Sequence, residues 1–122
     1  MAFLYDTLLQ EFGKREIART DVPNYIVDNL SKEFDLTKKT IGILGMAFKA
    51  NVDDIRDSLS YKLRKILIFR GANVLCSDEF VKDSSFMSQE ELIQQSEIVI
   101  IGAPHETYST IDFSNVKLIN IW

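Results

Sequence analysis

TIGILGMAFKANVDDIRDS, residues 40–58, runs from a short apolar stretch into a turn that carries Lys49, Arg56, Asp53, Asp54 and Asp57. A run such as TIGIL (40–44), apolar without alternation and bounded by glycine, reads as a strand buried on both faces. The residues that follow the turn change period: Leu59, Leu63, Ile66 and Leu67 recur at helical spacing. The unit is therefore strand, charged loop, helix. Gly71 closes that helix, ANVLCS (72–77) reads as a second strand, and SQEELIQQS (88–96) as a short helix opened by a Ser88/Glu91 capping box. EIVIIGAP (97–104) and VKLINIW (116–122) supply a third and a fourth strand. Short, uniformly apolar strands alternating with helices predict an α/β, Rossmann-like open parallel sheet flanked by helices.

Upstream of the first strand the pattern is helical throughout. Leu4, Leu8 and Phe12 form one stripe, and Ile26, Val27, Leu30 and Phe34 a second, with Asp21 and Pro23 marking the start of its helix. The expected organisation is a helical segment over 1–36 and the Rossmann-like domain over 37–122. The first stripe is either ordinary core or a surface for a homodimer or for domains absent from this sequence.

Composition narrows the function. The 122 residues are 46% hydrophobic and 26% charged, with a formal net charge of −4, a poor balance for binding nucleic acid or an anionic membrane surface. No apolar stretch reaches the about 20 residues that span a bilayer, and the first residues have no signal-peptide pattern, so a cytoplasmic location is expected. Cys76 is the one cysteine and His105 the one histidine, which excludes an intrachain disulfide and a structural zinc site. Cys76 sits in a strand, two residues from Val74, and reads as a buried thiol rather than a nucleophile.

In open parallel sheets ligands bind beyond the carboxyl ends of the strands. Residues 45–58, 77–79 and 103–108 and the chain end at Trp122 meet there. A nicotinamide dinucleotide is the first ligand to test, and the G-x-G-x-x-G fingerprint fails: counted from Gly42, its other two glycines fall on Leu44 and Ala47. The loop itself points to an anion, because Lys49, Arg56 and the start of a helix near Ser58 or Ser60 converge on one end of the sheet. Three aspartates cannot all face that anion, since a carboxylate ~4 Å from a phosphate charge is repelled by about 4 kcal/mol at an effective dielectric of about 20. The consistent arrangement has Asp57 or Ser58 capping the helix and Asp53 or Asp54 orienting Arg56. Phe48 and Lys49 then offer a flat apolar face beside a point charge, as a base and its phosphate require. A solvated, salt-bridged loop without a ligand explains the same residues equally well. Asp78 and His105 are candidate ligand contacts, Asp78 reading first as a polar cap on a strand end and His105 as a loop residue. Tyr108 and Trp122 belong to a core edge or interface sooner than to a base stack.

GMAFKANVDDIRDSLS (45–60) resembles the signature G-x-A-F-K-x-N-T-D-D-x-R-x-S-P-S of the UDP-glucose/GDP-mannose dehydrogenases, departing from it at Val52 and Leu59. ARTDVPNYIVDNL (18–30) resembles the end of that family's central helical region, and GAPHETY (102–108) the loop after the third strand of its carboxy-terminal domain. The resemblance implies a UDP-sugar ligand lying against Phe48 and Lys49, with Asp53, Asp54, Arg56 and Ser58 organising the loop. It implies an NAD-dependent oxidoreductase for the full-length family. Neither that family's NAD domain nor its catalytic cysteine segment appears here, so the 122 residues alone are expected to bind no NAD and to be inactive. Two other readings stay open at this point. One is a nicotinamide-binding domain. The other is a receiver-like domain using Asp53 and Asp54 for magnesium, which would need an aspartate where the third strand ends in IIGAPH (100–105).

Overall fold

The computed structural model describes residues 21–122, so the stripe of Leu4, Leu8 and Phe12 lies outside the described residues. Helix α1 (Asp21–Glu33) carries Pro23 in its first turn, where a missing N–H breaks no intrahelical bond. A 3-10 turn (Leu36–Lys38), capped by the Asp35 carboxylate on the Thr37 N–H, leads into strand β1 (Thr40–Leu44). There follow α2 (Leu59–Phe69), β2 (Asn73–Ser77), α3 (Gln89–Gln95), β3 (Ile98–Ile101), a second 3-10 turn (Glu106–Thr110) and β4 (Lys117–Asn120). The sheet is parallel throughout, in the order β2-β1-β3-β4.

Both faces of the sheet are covered, and that is why its strands do not alternate with polar residues. Ile41, Ile43, Cys76, Ile98, Ile100 and Ile119 pack in one cluster with Val22, Ile26, Val27 and Leu30 of α1 and with Leu63 and Leu67 of α2. Leu44, Val99 and Ile101 face the other way, against Leu92 of α3 and Tyr108 of the second 3-10 turn. Gly42 lies on that second face, where a Cβ would fall 2.3 Å from Leu92 Cδ2. This glycine lets α3 close on the sheet and has no part in a phosphate turn.

Local chemistry sets the helix ends. Ser58 accepts from the Ser60 N–H at the start of α2, and Ser88 accepts from the Glu91 N–H at the start of α3, each satisfying a donor that the helix leaves over. Leu63, fully buried between helix and sheet, tests the packing: Leu63→Ala should lower the unfolding free energy by about 3 kcal/mol in urea titrations. Among the described residues no helix is long and apolar enough to cross a membrane.

Candidate functional site

The strand order reverses beside β1: the chain leaves β1 for β2 on one side and returns to β3 on the other. The crevice at such a reversal lies between the loops after β1 and β3. Those loops touch. Gly45 adopts φ +88, and a Cβ there would lie 2.4 Å from the Ala103 carbonyl oxygen, so both the turn and the close approach require glycine. The Ser60 hydroxyl donates to the Gly45 carbonyl at 2.5 Å, and the Ser58 hydroxyl to the Met46 carbonyl at 2.8 Å. The start of α2 thus holds the start of the loop.

A buried polar chain holds the rest. Asp78, at the end of β2, is buried. Its Oδ2 accepts from the Met46 N–H at 2.7 Å, the Ala47 N–H at 3.0 Å and His105 Nε2 at 2.9 Å, and its Oδ1 accepts from the Phe80 N–H at 2.8 Å. His105 Nδ1 accepts from the Asn51 N–H at 2.7 Å. A ring nitrogen that accepts carries no proton, so the ring hydrogen sits on Nε2 and donates to Asp78. Asn51, at φ +59, returns a bond through its side-chain oxygen to the Glu106 N–H at 3.1 Å. One connected set of hydrogen bonds therefore ties the loops after β1, β2 and β3. Phe80 covers the His105 ring at 4.6 Å between centroids, and Tyr108 lies 5.4 Å away on another side. The Tyr108 hydroxyl is buried without a hydrogen-bond partner among the described residues, and burial, followed by the charges of Asp78 and Glu79, pushes its pKa up.

The outer part of the loop is braced by charge. Asp54, not Asp53, holds Arg56: its carboxylate accepts from the Arg56 backbone N–H at 2.9 Å, from Nε at 3.0 Å and from an Nη at 2.8 Å. These bonds, the side-chain one first, draw the Asp54 carboxyl down to about 2. The pair's small contribution to stability is present above the ordinary aspartate range and is lost as pH falls through about 2. The Asp54 carbonyl also accepts from the Phe48 N–H at 2.6 Å, closing the loop on itself. Of the two capping candidates, Ser58 caps α2, while Asp57 adopts φ +55 and pairs with Lys62 at 2.6 Å. Phe48 is half-buried; Lys49 and Asp53 are exposed. Cys76 is buried, which raises its thiol to about 11, far from a nucleophile's range. At the far side of the crevice, Trp122 Nε1 donates to the Gly102 carbonyl at 2.8 Å.

Asn51 carried no role in the reading of the sequence, although it is the residue through which His105 reaches the loop. The available signal was an asparagine inside a glycine-free turn, since asparagine tolerates positive φ better than most residues.

An open parallel sheet with its loops gathered at a strand-order reversal defines a Rossmann-like α/β domain. A sequence model described as UDP-glucose/GDP-mannose dehydrogenase family, UDP binding domain, matches residues 42–120. The chain belongs to the UDP-glucose/GDP-mannose dehydrogenase family, and this stretch is its UDP binding domain. A UDP-N-acetyl-D-mannosamine dehydrogenase of Methanocaldococcus jannaschii is 33% identical over 103 residues, covering 80% of this chain and 23% of the relative. A UDP-glucose 6-dehydrogenase of Haloferax volcanii is 41% identical over 56 residues, 46% of this chain and 13% of that protein. The solved structure of a UDP-glucose dehydrogenase from Pyrobaculum islandicum superposes with a TM-score of 0.72 at 29% identity, over 80% of this chain and 25% of that one. The chain thus spans about a quarter of the length of the first of these relatives and of that solved structure.

The residues present do not fit the dinucleotide of a dehydrogenase. Gly42 is occupied with helix packing, and Asp78, where a ribose-binding acid would stand, has its side chain fully buried and engaged by backbone N–H groups. Magnesium fares no better at Asp53 and Asp54, because Asp54 is committed to Arg56. Among the described residues no three His, Cys, Asp or Glu side chains gather around one point.

Proposed function

We propose that the loop over residues 45–58 binds the nucleotide part of a UDP-sugar, with Phe48 packed against the ligand and Lys49 on its diphosphate. The observation that carries this reading is the pairing of a half-buried aromatic ring and an exposed ammonium in a loop whose backbone is fixed from within. A site held in place before the ligand arrives loses less conformational entropy on binding. Arg56, oriented by Asp54, adds a second cation to the same rim. Uracil is the base of choice, and UDP the nucleotide, because the relatives are named for UDP-N-acetyl-D-mannosamine and UDP-glucose. In the whole protein, bound UDP-sugar would be oxidised with NAD held elsewhere, in the cytoplasm, and Cys76 would take no part.

Calorimetric titration of the 122-residue chain with UDP and UDP-glucose tests the site. Dissociation in the millimolar range is expected, about −4 kcal/mol, for a ligand held on one side. Lys49→Ala should leave the melting temperature unchanged and weaken binding by about tenfold, with a shallower salt dependence. Asp54→Ala should weaken binding by letting Arg56 swing free. Affinity of the Lys49 variant equal to the parent's at low salt would remove this loop from the ligand.

A further inference from the structure

His105 stands outside the loop proposed to bind the ligand, yet its ring sets that loop's backbone. Nδ1 accepts from the Asn51 N–H, two residues from Lys49, while Nε2–H is held by Asp78. The ring is buried and clamped between Phe80 and Tyr108, so it cannot turn away to take other partners. We propose that His105 is a positioning residue for the UDP-sugar loop, competent only with the proton on Nε2, so that protonation of the ring releases residues 48–51 and weakens the nucleotide sugar.

This inference rests on the nucleotide reading of the loop and adds its regulation by pH. A second ring proton would place Nδ1–H against the Asn51 N–H, two donors face to face, and Asn51 would have to withdraw. Its withdrawal also breaks the bond from its side-chain oxygen to the Glu106 N–H, so both ends of the contact between the loops after β1 and β3 come apart together. The titratable groups around the ring are Asp78 at 2.9 Å, the Tyr108 ring packed on it, and Glu79, whose carboxylate accepts from Thr107 in the same turn and whose charge reaches Tyr108. Glu106, next in the chain, is exposed. All the carboxylates of this set stabilise a charged ring, whereas the Asn51 N–H opposes it. Protonation therefore proceeds at the expense of the loop and leaves the Asp78 contact in place.

The experiment follows UDP-glucose affinity from about pH 8 to about pH 5, the range in which histidine changes charge. UDP-glucose is used because its diphosphate diester keeps a constant charge over that range. The parent chain should lose about three- to tenfold in affinity on acidification. His105→Gln, which keeps an N–H donor toward Asp78 and offers the Asn51 N–H no ring acceptor, should bind weakly at every pH with a flat profile. In the parent, long-range ¹H–¹⁵N correlation of the ring should report Nε2–H at high pH, with the Asn51 amide shifting as the ring protonates. This readout needs no ligand and no variant. A pH-independent affinity in a parent that does bind UDP-glucose, or a ring proton found on Nδ1, overturns the role of His105 and leaves the nucleotide reading intact. No binding of UDP-glucose at pH 8 overturns the nucleotide reading, and this role with it.

Discussion

Gly45→Ala should lower the unfolding free energy by about 2–5 kcal/mol, more than any other substitution in the loop. Two costs add. The φ of +88 is strained for any residue with a Cβ, at about 1–2 kcal/mol. The new methyl would also lie 2.4 Å from the Ala103 carbonyl oxygen and 2.7 Å from its nitrogen. These are backbone atoms just beyond β3, itself tied to β1 by the Gly102 N–H on the Leu44 carbonyl at 2.8 Å, so neither strand can give way alone. Overpacking of this kind costs about 1–3 kcal/mol. Gly71→Ala is the control. Its φ of +90 is nearly the same, but the nearest atom to a new Cβ is the Thr37 methyl at 3.1 Å, on an exposed side chain. Only the dihedral cost of about 1–2 kcal/mol is expected there. Urea titrations of both variants separate the terms, and equal losses would show that the approach of the two loops places no constraint on the fold.

The fold was legible because its signals are local. TIGIL, ANVLCS and EIVIIGAP lack alternation since both faces of the sheet are covered, and the serines at 58 and 88 declare the helix starts they cap. The parallel pairing of β1 with β2 and β3 follows from strand, helix, strand units, whose crossovers suit parallel neighbours, whereas β3 reaches β4 through a 3-10 turn alone. The second 3-10 turn, Glu106–Thr110, left no comparable trace: five residues are too few for a helical period to register. Within the site, the outer brace of Asp54 on Arg56 joins residues two apart and could be reasoned from the loop alone. The inner one could not. Asp78 and His105 are 27 residues apart, and His105 and Asn51 are 54 apart, so their partnership exists only once the sheet has brought three loops together. For the same reason Asp78 was ambiguous in the sequence: an acid at a strand end looks alike whether it faces a ribose or, as here, four N–H donors of its own protein.

Those four donors make Asp78 the residue whose chemistry, as distinct from its shape, matters most to the site. Asp78→Ala should cost about 3–5 kcal/mol, since it strands the Met46, Ala47 and Phe80 N–H groups and the His105 Nε2–H in a buried place. Asp78→Asn tests the charge and the acceptors without removing volume. An asparagine has one accepting oxygen, and turned to its best advantage it faces that oxygen to the three donors on Oδ2 and its NH₂ to the Phe80 N–H. One donor then opposes another, and a loss of about 2–3 kcal/mol is expected. Nucleotide affinity should fall in both variants because Met46 and Ala47 lead directly into Phe48 and Lys49. Denaturant unfolding combined with UDP titration at low denaturant distinguishes the outcomes. An asparagine variant as stable as the parent would mean that the carboxylate does not accept on both oxygens. Full UDP affinity in a destabilised but folded alanine variant would mean that the loop holds its ligand without the inner brace, and the fixed backbone would then no longer support the assignment of Phe48 and Lys49.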